Sequence, residues 1–102
     1  MLGKNEEAVT NFRKAIDINP NNSVVYINMG SALYKLGRYE EALTSFKRAA
    51  DMNPRLVGAH NNMGIILIQL GRKEEAVTCF RKVIEINPDN TEALFNLGTT
   101  LL

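Results

Sequence analysis

The chain holds one histidine, His60, and one cysteine, Cys79, and this pair is the first candidate for chemistry. A thiol beside an imidazole can act as an activated nucleophile. Other support for catalysis is missing, because the sequence has no glycine-rich phosphate loop, no paired carboxylates and no cluster of metal ligands. We therefore predict no catalytic residue, no metal site and no cofactor.

Three asparagines, Asn28, Asn62 and Asn96, recur every 34 residues inside stretches that otherwise read as apolar helices. Asparagine is a poor helix former and costs free energy when it is buried without a partner, so its repeated use needs a reason. Its amide both donates and accepts hydrogen bonds, and it can pair with the backbone of any peptide. The alternative is that these amides tie neighbouring helices together.

Composition narrows the class of protein. The 102 residues are 45% hydrophobic and 23% charged, with a formal net charge of +1, which favours one small folded domain. No block of lysine or arginine is present, so we expect no nucleic-acid binding. The apolar run at 65–70 is far shorter than the roughly 20 residues of a membrane span, and we expect no membrane partner. A single cysteine excludes an internal disulfide, and we expect a cytoplasmic protein.

A period of 34 residues organises the chain. The dipeptide Asn-Pro occurs three times at this spacing and contains all three prolines, Pro20, Pro54 and Pro88. Six of the seven glycines form two further series with the same period. An alanine that is followed four residues later by a phenylalanine also recurs once in each period. Small, aromatic and proline residues at fixed places in such a period indicate stacked repeats.

Each period alternates helix, glycine, helix and proline. The first predicted helix of a period, residues 23–36, ends at Gly37, which can adopt the left-handed conformation. The second, residues 39–52, ends at Asn53-Pro54, because the residue before proline disfavours helical angles. We predict an all-α fold of about six antiparallel helices in a single domain. Its parts are a half repeat at 1–22, full repeats at 23–56 and 57–90, and a half repeat at 91–102.

This arrangement resembles the tetratricopeptide repeat, whose pattern has an aromatic residue, a Leu-Gly pair, a tyrosine, Ala-x-x-x-Phe and a closing proline. The residues at these places in the first full repeat are Tyr26, Met29, Gly30, Leu33, Ala42, Phe46 and Pro54, and Leu33, like Leu67 in the second, stands where the family has tyrosine. Those of the second are His60, Met63, Gly64, Leu67, Ala76, Phe80 and Pro88. The resemblance implies an α-α superhelix. It also makes His60 a packing residue, equivalent to Tyr26 and Leu94, and places Cys79 beside the core.

In this family the first helices line a concave groove that holds peptides, so the resemblance implies a protein-interaction module and not an enzyme. The stripe opposite the packing face of these helices is nearly uncharged, as expected of a contact surface. We predict that a peptide segment of a partner protein binds there. The predicted groove residues are Val24, Ile27, Asn28, Ser31, Tyr34, Lys35, Asn61, Asn62, Ile65, Ile68, Gln69, Phe95 and Asn96.

The asparagine series is similar to the amide ladder in the repeat array of O-linked N-acetylglucosamine transferase. Helices pack about 8 to 10 Å apart and an extended peptide advances about 3.3 Å per residue, so one amide per repeat can meet about every third ligand residue. Family members that bind chaperone tails instead hold a terminal carboxylate with lysine, asparagine and arginine. This chain has Ile27 and Glu92 where that clamp needs cations, and Asn96 in place of an arginine. We therefore expect no preference for acidic C-terminal tails.

The second helices carry charges four residues apart, as in Arg13 with Asp17, Lys47 with Asp51 and Arg81 with Glu85. We expect ion pairs between these residues on the outer, solvated surface of the superhelix.

The two ends suggest a second function. The chain is three repeat lengths long but begins in a second helix and ends in a first helix, so another copy can complete the terminal repeat. Such stacking is head to tail and does not close, and it builds a filament. A fragment of a longer array would show the same ends. The candidate assembly residues are Val9, Phe12, Ile16, Leu94, Leu97 and Leu101.

Overall fold

The computed structural model describes residues 3–102, and in that range it contains six helices and no strand. The helices are α1 (Lys4–Ile18), α2 (Ser23–Lys35), α3 (Tyr39–Met52), α4 (Val57–Gln69), α5 (Lys73–Ile86) and α6 (Thr91–Leu101). Helices that follow each other in sequence pack against each other, which is the arrangement of a solenoid. The predicted all-α repeat fold is confirmed.

Glycine ends the first helix of each full repeat. Gly37 has a φ angle of 75° and Gly71 one of 74°, in the left-handed region that side chains disfavour. The N–H of Arg38 then donates to the carbonyl of Leu33 at 2.9 Å, and the N–H of Arg72 donates to that of Leu67 at 2.8 Å. These bonds satisfy helix-terminal carbonyls and turn the chain back along the helix it has just left.

The second helices end differently, at the asparagines of the Asn-Pro dipeptides. Asn19, Asn53 and Asn87 are the C-caps of α1, α3 and α5, and each has an extended backbone. Each side-chain oxygen accepts a hydrogen bond from the backbone N–H two residues later, at 3.2 to 3.3 Å. The asparagine therefore closes a local turn that its own proline helps to start.

Glycine and phenylalanine set the distance between the two helices of a repeat. A Cβ atom built on Gly30 would lie 2.9 Å from the ring of Phe46, and one built on Gly64 would lie 2.6 Å from the ring of Phe80. Both rings are fully buried. The absence of a side chain on α2 and α4 thus lets the ring lie directly on the helix backbone.

Ion pairs join successive second helices into one layer. Arg13 of α1 lies 3.4 Å from Glu41 of α3, and Arg72, the N-cap of α5, lies 3.7 Å from Glu40 of α3. The bond from Arg38 to Glu41 holds the pKa of that carboxyl below its usual value. The first helices α2, α4 and α6 form the other layer.

The predicted pairs four residues apart are not among the ion pairs of residues 3–102, so that prediction is wrong. In all three, a base precedes an acid, which is the less favourable order along a helix. Arg13 turns instead to the neighbouring helix, as described above, and Glu85 lies 3.9 Å from Lys82 and not beside Arg81. Within residues 3–102, none of the six helices combines the length and the apolar character that a membrane span requires.

Candidate functional site

A cavity of about 190 Å³ opens between the first helices α2 and α4. Its lining residues are Ser31, Tyr34, Lys35, Phe46, Asn62, Ile65 and Ile66. Five of these belong to the predicted groove, and the exceptions are Phe46 and Ile66. Both of the latter are almost fully buried and form the floor. The repeat pattern predicted Phe46 to be a packing residue. Its ring packs against α2 and also lines the cavity.

The walls of the cavity are apolar and partly fixed by packing. Tyr34 is half-buried, and its ring contacts that of Tyr39 with centroids 5.4 Å apart and planes tilted by 51°. Ile65, one turn after Asn62 on α4, is also half-buried. Lys35 is exposed at the rim. The site therefore combines an apolar interior with one amide and one cation.

Asn62 has no hydrogen-bonding partner among residues 3–102, although its side chain is half-buried. The reason lies one repeat earlier in α2. The position equivalent to Asn61 there is Ile27, which carries no polar atom, so α2 lacks the partner that Asn61 provides to Asn96. The donor and acceptor groups of Asn62 stay available at the edge of the cavity.

Asn96, one repeat later, is in a different state. Its side-chain nitrogen donates to the oxygen of Asn61 at 3.4 Å, and the nitrogen of Asn61 donates in turn to the carboxylate of Glu92. Asn61 is buried between α4 and α6. These three side chains tie two first helices together, which is the alternative role considered for the amides. Asn61 and Asn96 are therefore less suited to ligand binding than Asn62.

The remaining predicted groove residues lie on the same layer with larger exposure, except Ile27, which is half-buried and packs against the core. Phe95 is 68% exposed, and Val24 and Ile68 are also largely open to solvent, as are Asn28 and Gln69. Asn28 has no side-chain partner in the described range. A shallow depression between α4 and α6 includes Ile68 and Thr99. The three series asparagines thus differ: Asn28 is exposed, Asn62 borders a cavity and Asn96 is bonded.

His60 and Cys79 do not meet as a thiol–imidazole pair within the described residues. The Nε2 atom of His60 lies 2.8 Å from the carbonyl oxygen of Pro54. Burial, together with the charge of Glu75, raises the pKa of the Cys79 thiol to about 11. The thiol is protonated at neutral pH, the reverse of what a nucleophile needs. No group of three or more possible metal ligands occurs in residues 3–102.

The predicted assembly residues occupy the two terminal helices. On α1, Val9 is buried in the core of the chain, whereas Phe12 and Ile16 are half-buried against it. Val9 is therefore already covered within a single chain and is not free to contact another copy. On α6, Leu94 and Leu101 are exposed, and Leu97 is half-buried.

Two family models match the chain. The model described as "Tetratricopeptide repeat" matches residues 27–91 and 61–102, and the one described as "TPR repeat" matches residues 2–37. A search of curated proteins gives no match.

Solved structures match over nearly the whole chain. The first TPR domain of Spaghetti (RPAP3), bound to the HSP90 peptide SRMEEVD, is 29% identical, with a TM-score of 0.91 over 97% of this chain and 79% of that one. The second TPR domain of human RPAP3, in complex with the HSP70 peptide SGPTIEEVD, is 26% identical, with a TM-score of 0.91 over 98% and 83%. MamA shares the fold at 21% identity, with a TM-score of 0.92 over 96% of this chain and 57% of that one. The chain belongs to the tetratricopeptide repeat family.

Proposed function

We propose that this chain is a protein-interaction module whose first-helix groove binds an extended peptide segment of a partner protein, anchored at Asn62. The observation that carries the proposal is the unpaired, half-buried amide of Asn62 at the edge of an apolar cavity. The peptide complexes of the two RPAP3 domains support a peptide as the class of ligand.

The chemistry of the site suits a backbone and one side chain. The amide of Asn62 can accept from a peptide N–H and donate to a peptide C=O, whatever the sequence of the ligand. The cavity beside it is about 190 Å³. Since an apolar cavity of about 150 Å³ holds a benzene molecule, this space suits a single aliphatic or aromatic side chain. The ligand we propose is an extended peptide with one apolar anchor residue.

The charges of the groove argue for a neutral ligand. Lys35 is the one cation at the cavity, and Glu92 lies on the same layer with its carboxylate bonded to Asn61. Family members that hold a terminal carboxylate do so with a cluster of cations, and the resemblance places one of these cations at position 27, where this chain has isoleucine. We infer a ligand that differs from the acidic tails in the two RPAP3 complexes.

A selection from a library of random peptides, displayed on phage, tests the proposal. Enriched peptides are then titrated against the wild type, Asn62→Ala and the control Asn21→Ala, which removes an exposed asparagine outside the groove. Loss of one or two hydrogen bonds should weaken binding about tenfold in Asn62→Ala and leave Asn21→Ala unchanged. Two results would refute binding in the first-helix groove: equal affinity of the peptides for Asn62→Ala and Asn21→Ala, or NMR shifts that are confined to the layer of second helices.

A further inference from the structure

Ser31 has the smallest side chain on the wall of the cavity between α2 and α4. The residue in the same place one repeat later is Ile65, whose branched side chain is much larger. Both residues are half-buried. The two full repeats therefore differ in bulk at a place that, in the first of them, lines the cavity.

Ile65 is packed where the first repeat leaves space. It lies against the buried cluster that contains Leu67 and Phe80. In the first full repeat the ring equivalent to Phe80 is Phe46, and this ring borders the cavity. The depression between α4 and α6 does not have Phe80 among its lining residues. The side chain at this place thus decides whether the ring of the second helix is open to the groove.

The hydroxyl of Ser31 forms no hydrogen bond within residues 3–102, whereas Thr44, Thr78 and Thr99 each donate to the carbonyl four residues earlier. In that range, no side-chain oxygen or nitrogen that is sealed from solvent lacks a partner. The hydroxyl is therefore reached by solvent from the cavity side of α2. When an apolar ligand group covers it, it can donate to the carbonyl of Ile27, as the threonines do to theirs.

We propose that Ser31 determines which peptide residue is held, because it leaves room for one large apolar side chain between α2 and α4, whereas Ile65 closes the equivalent place between α4 and α6. This inference rests on the proposed binding of a peptide in the first-helix groove. The cavity of about 190 Å³ suits leucine, methionine or phenylalanine. Since one repeat corresponds to about three residues of an extended peptide, the ligand should carry no second large anchor about three residues away.

Benzene tests the space without any peptide. It fills an apolar cavity of about 150 Å³, so at millimolar concentration it should shift the methyl NMR signals of Ile65 and Ile66 in the wild type. Ser31→Ile fills the space and should remove these shifts, whereas Ser31→Ala keeps the space and should retain them. Absence of the shifts from the wild type, or equal shifts in Ser31→Ile, would overturn the proposal.

The variants are matched for folding. Ser31→Ile introduces the residue that the second full repeat already holds in this place, so we expect it to fold, and circular dichroism with urea unfolding checks this. Thr10→Ile adds the same side chain at an exposed place on α1, outside the cavity, and should not change the benzene shifts. Ser31→Val fills part of the space and replaces Ser31→Ile if that variant does not fold.

A double-mutant cycle tests the specificity. A peptide selected on the wild type is first scanned with alanine to find its anchor residue. Replacing the anchor by alanine should weaken binding to the wild type and to Ser31→Ala about tenfold or more. The same replacement should change binding to Ser31→Ile by about twofold or less, because the cavity is already filled. Equal losses on the wild type and on Ser31→Ile would overturn the role of Ser31.

The two proposals fail in different ways. If Asn62→Ala weakens binding but the loss of the anchor is the same with and without Ser31→Ile, peptide binding in the groove stands and the role of Ser31 is refuted. If neither Asn62→Ala nor Ser31→Ile changes the affinity of the selected peptide, the proposed function and this inference are both refuted.

Discussion

The ring of Phe80 on α5 lies directly against the backbone of Gly64 on α4, so close that a Cβ at position 64 would be 2.6 Å from the ring atom Cε1. Phe80 is fully buried and cannot move into solvent to relieve such a contact. This pair therefore defines the closest approach between the two helices of the second full repeat. In the equivalent pair of the first full repeat, a Cβ built on Gly30 would lie 2.9 Å from the ring of Phe46.

Gly64→Ala should therefore destabilise the chain, although alanine is the better helix former. Overpacking of a filled core costs about 1 to 3 kcal/mol, which exceeds the gain in helix propensity of at most about 1 kcal/mol. Gly58→Ala lies on the same helix with open space around its Cβ and should be neutral or stabilising. Urea unfolding followed by circular dichroism measures both free energies of unfolding. Equal effects of the two variants would show that the ring does not constrain the helix distance.

The helix ends could be predicted from the sequence because each depends on neighbouring residues only. The left-handed turn at Gly37 and the cap at Asn53 need no contact from elsewhere in the chain. The pairing of Asn61 could not be predicted in this way, since its partner Glu92 lies on another helix and 31 positions away. The ion pair from Arg13 to Glu41 likewise depends on how closely α1 and α3 lie.

The candidate site was also predictable only in part from the sequence. Periodicity predicted that Tyr34 and Asn62 lie on one layer, and the cavity contains both. It did not distinguish the free amide of Asn62 from the bonded amide of Asn96. A usable signal was the residue 35 positions earlier in each case, which is the apolar Ile27 for Asn62 and the polar Asn61 for Asn96.

Ile27→Asn should abolish this difference. An asparagine at position 27 would offer Asn62 the partner that Asn61 offers Asn96, at the equivalent place between two first helices. The amide of Asn62 would then be engaged, and we expect peptides selected on the wild type to bind about tenfold more weakly. Isothermal titration measures the affinity, and Ile27→Val, which adds no polar group, is the control. Full affinity in Ile27→Asn would contradict the role of the free amide.

Cys79 should react slowly with iodoacetamide in the folded chain. Burial raises the pKa of its thiol to about 11 from an ordinary value of 9.0, so the thiolate fraction near neutral pH is roughly 100-fold lower than in the unfolded chain. The rate should increase with pH up to about 11. Mass spectrometry of the native and urea-unfolded chain gives the two rates, and similar rates would refute the shifted pKa.

The same shift makes stability depend on pH. Between about pH 9 and 11 the unfolded chain loses the thiol proton while the folded chain keeps it, so the stabilising contribution present below pH 9 disappears as pH rises through this window. The wild type should therefore lose more stability between these pH values than Cys79→Ser. Parallel loss in both proteins would assign the effect to other groups.

The acidic tail peptide SRMEEVD, which the first TPR domain of Spaghetti binds, should not bind the wild-type chain at micromolar concentration. The expected reason is electrostatic: family members that bind such tails hold the terminal carboxylate with cations, and the resemblance puts Ile27, Asn96 and an acid, Glu92, at those places in this chain. The triple variant Ile27→Lys, Glu92→Lys and Asn96→Arg adds three cations and removes one anion. It should gain affinity for this peptide, with a dissociation constant that rises with salt concentration. A peptide of the same composition in scrambled order, with an amidated end, serves as the control in fluorescence polarisation. Tight binding of SRMEEVD to the wild type would show that the groove accepts acidic tails without a cation clamp.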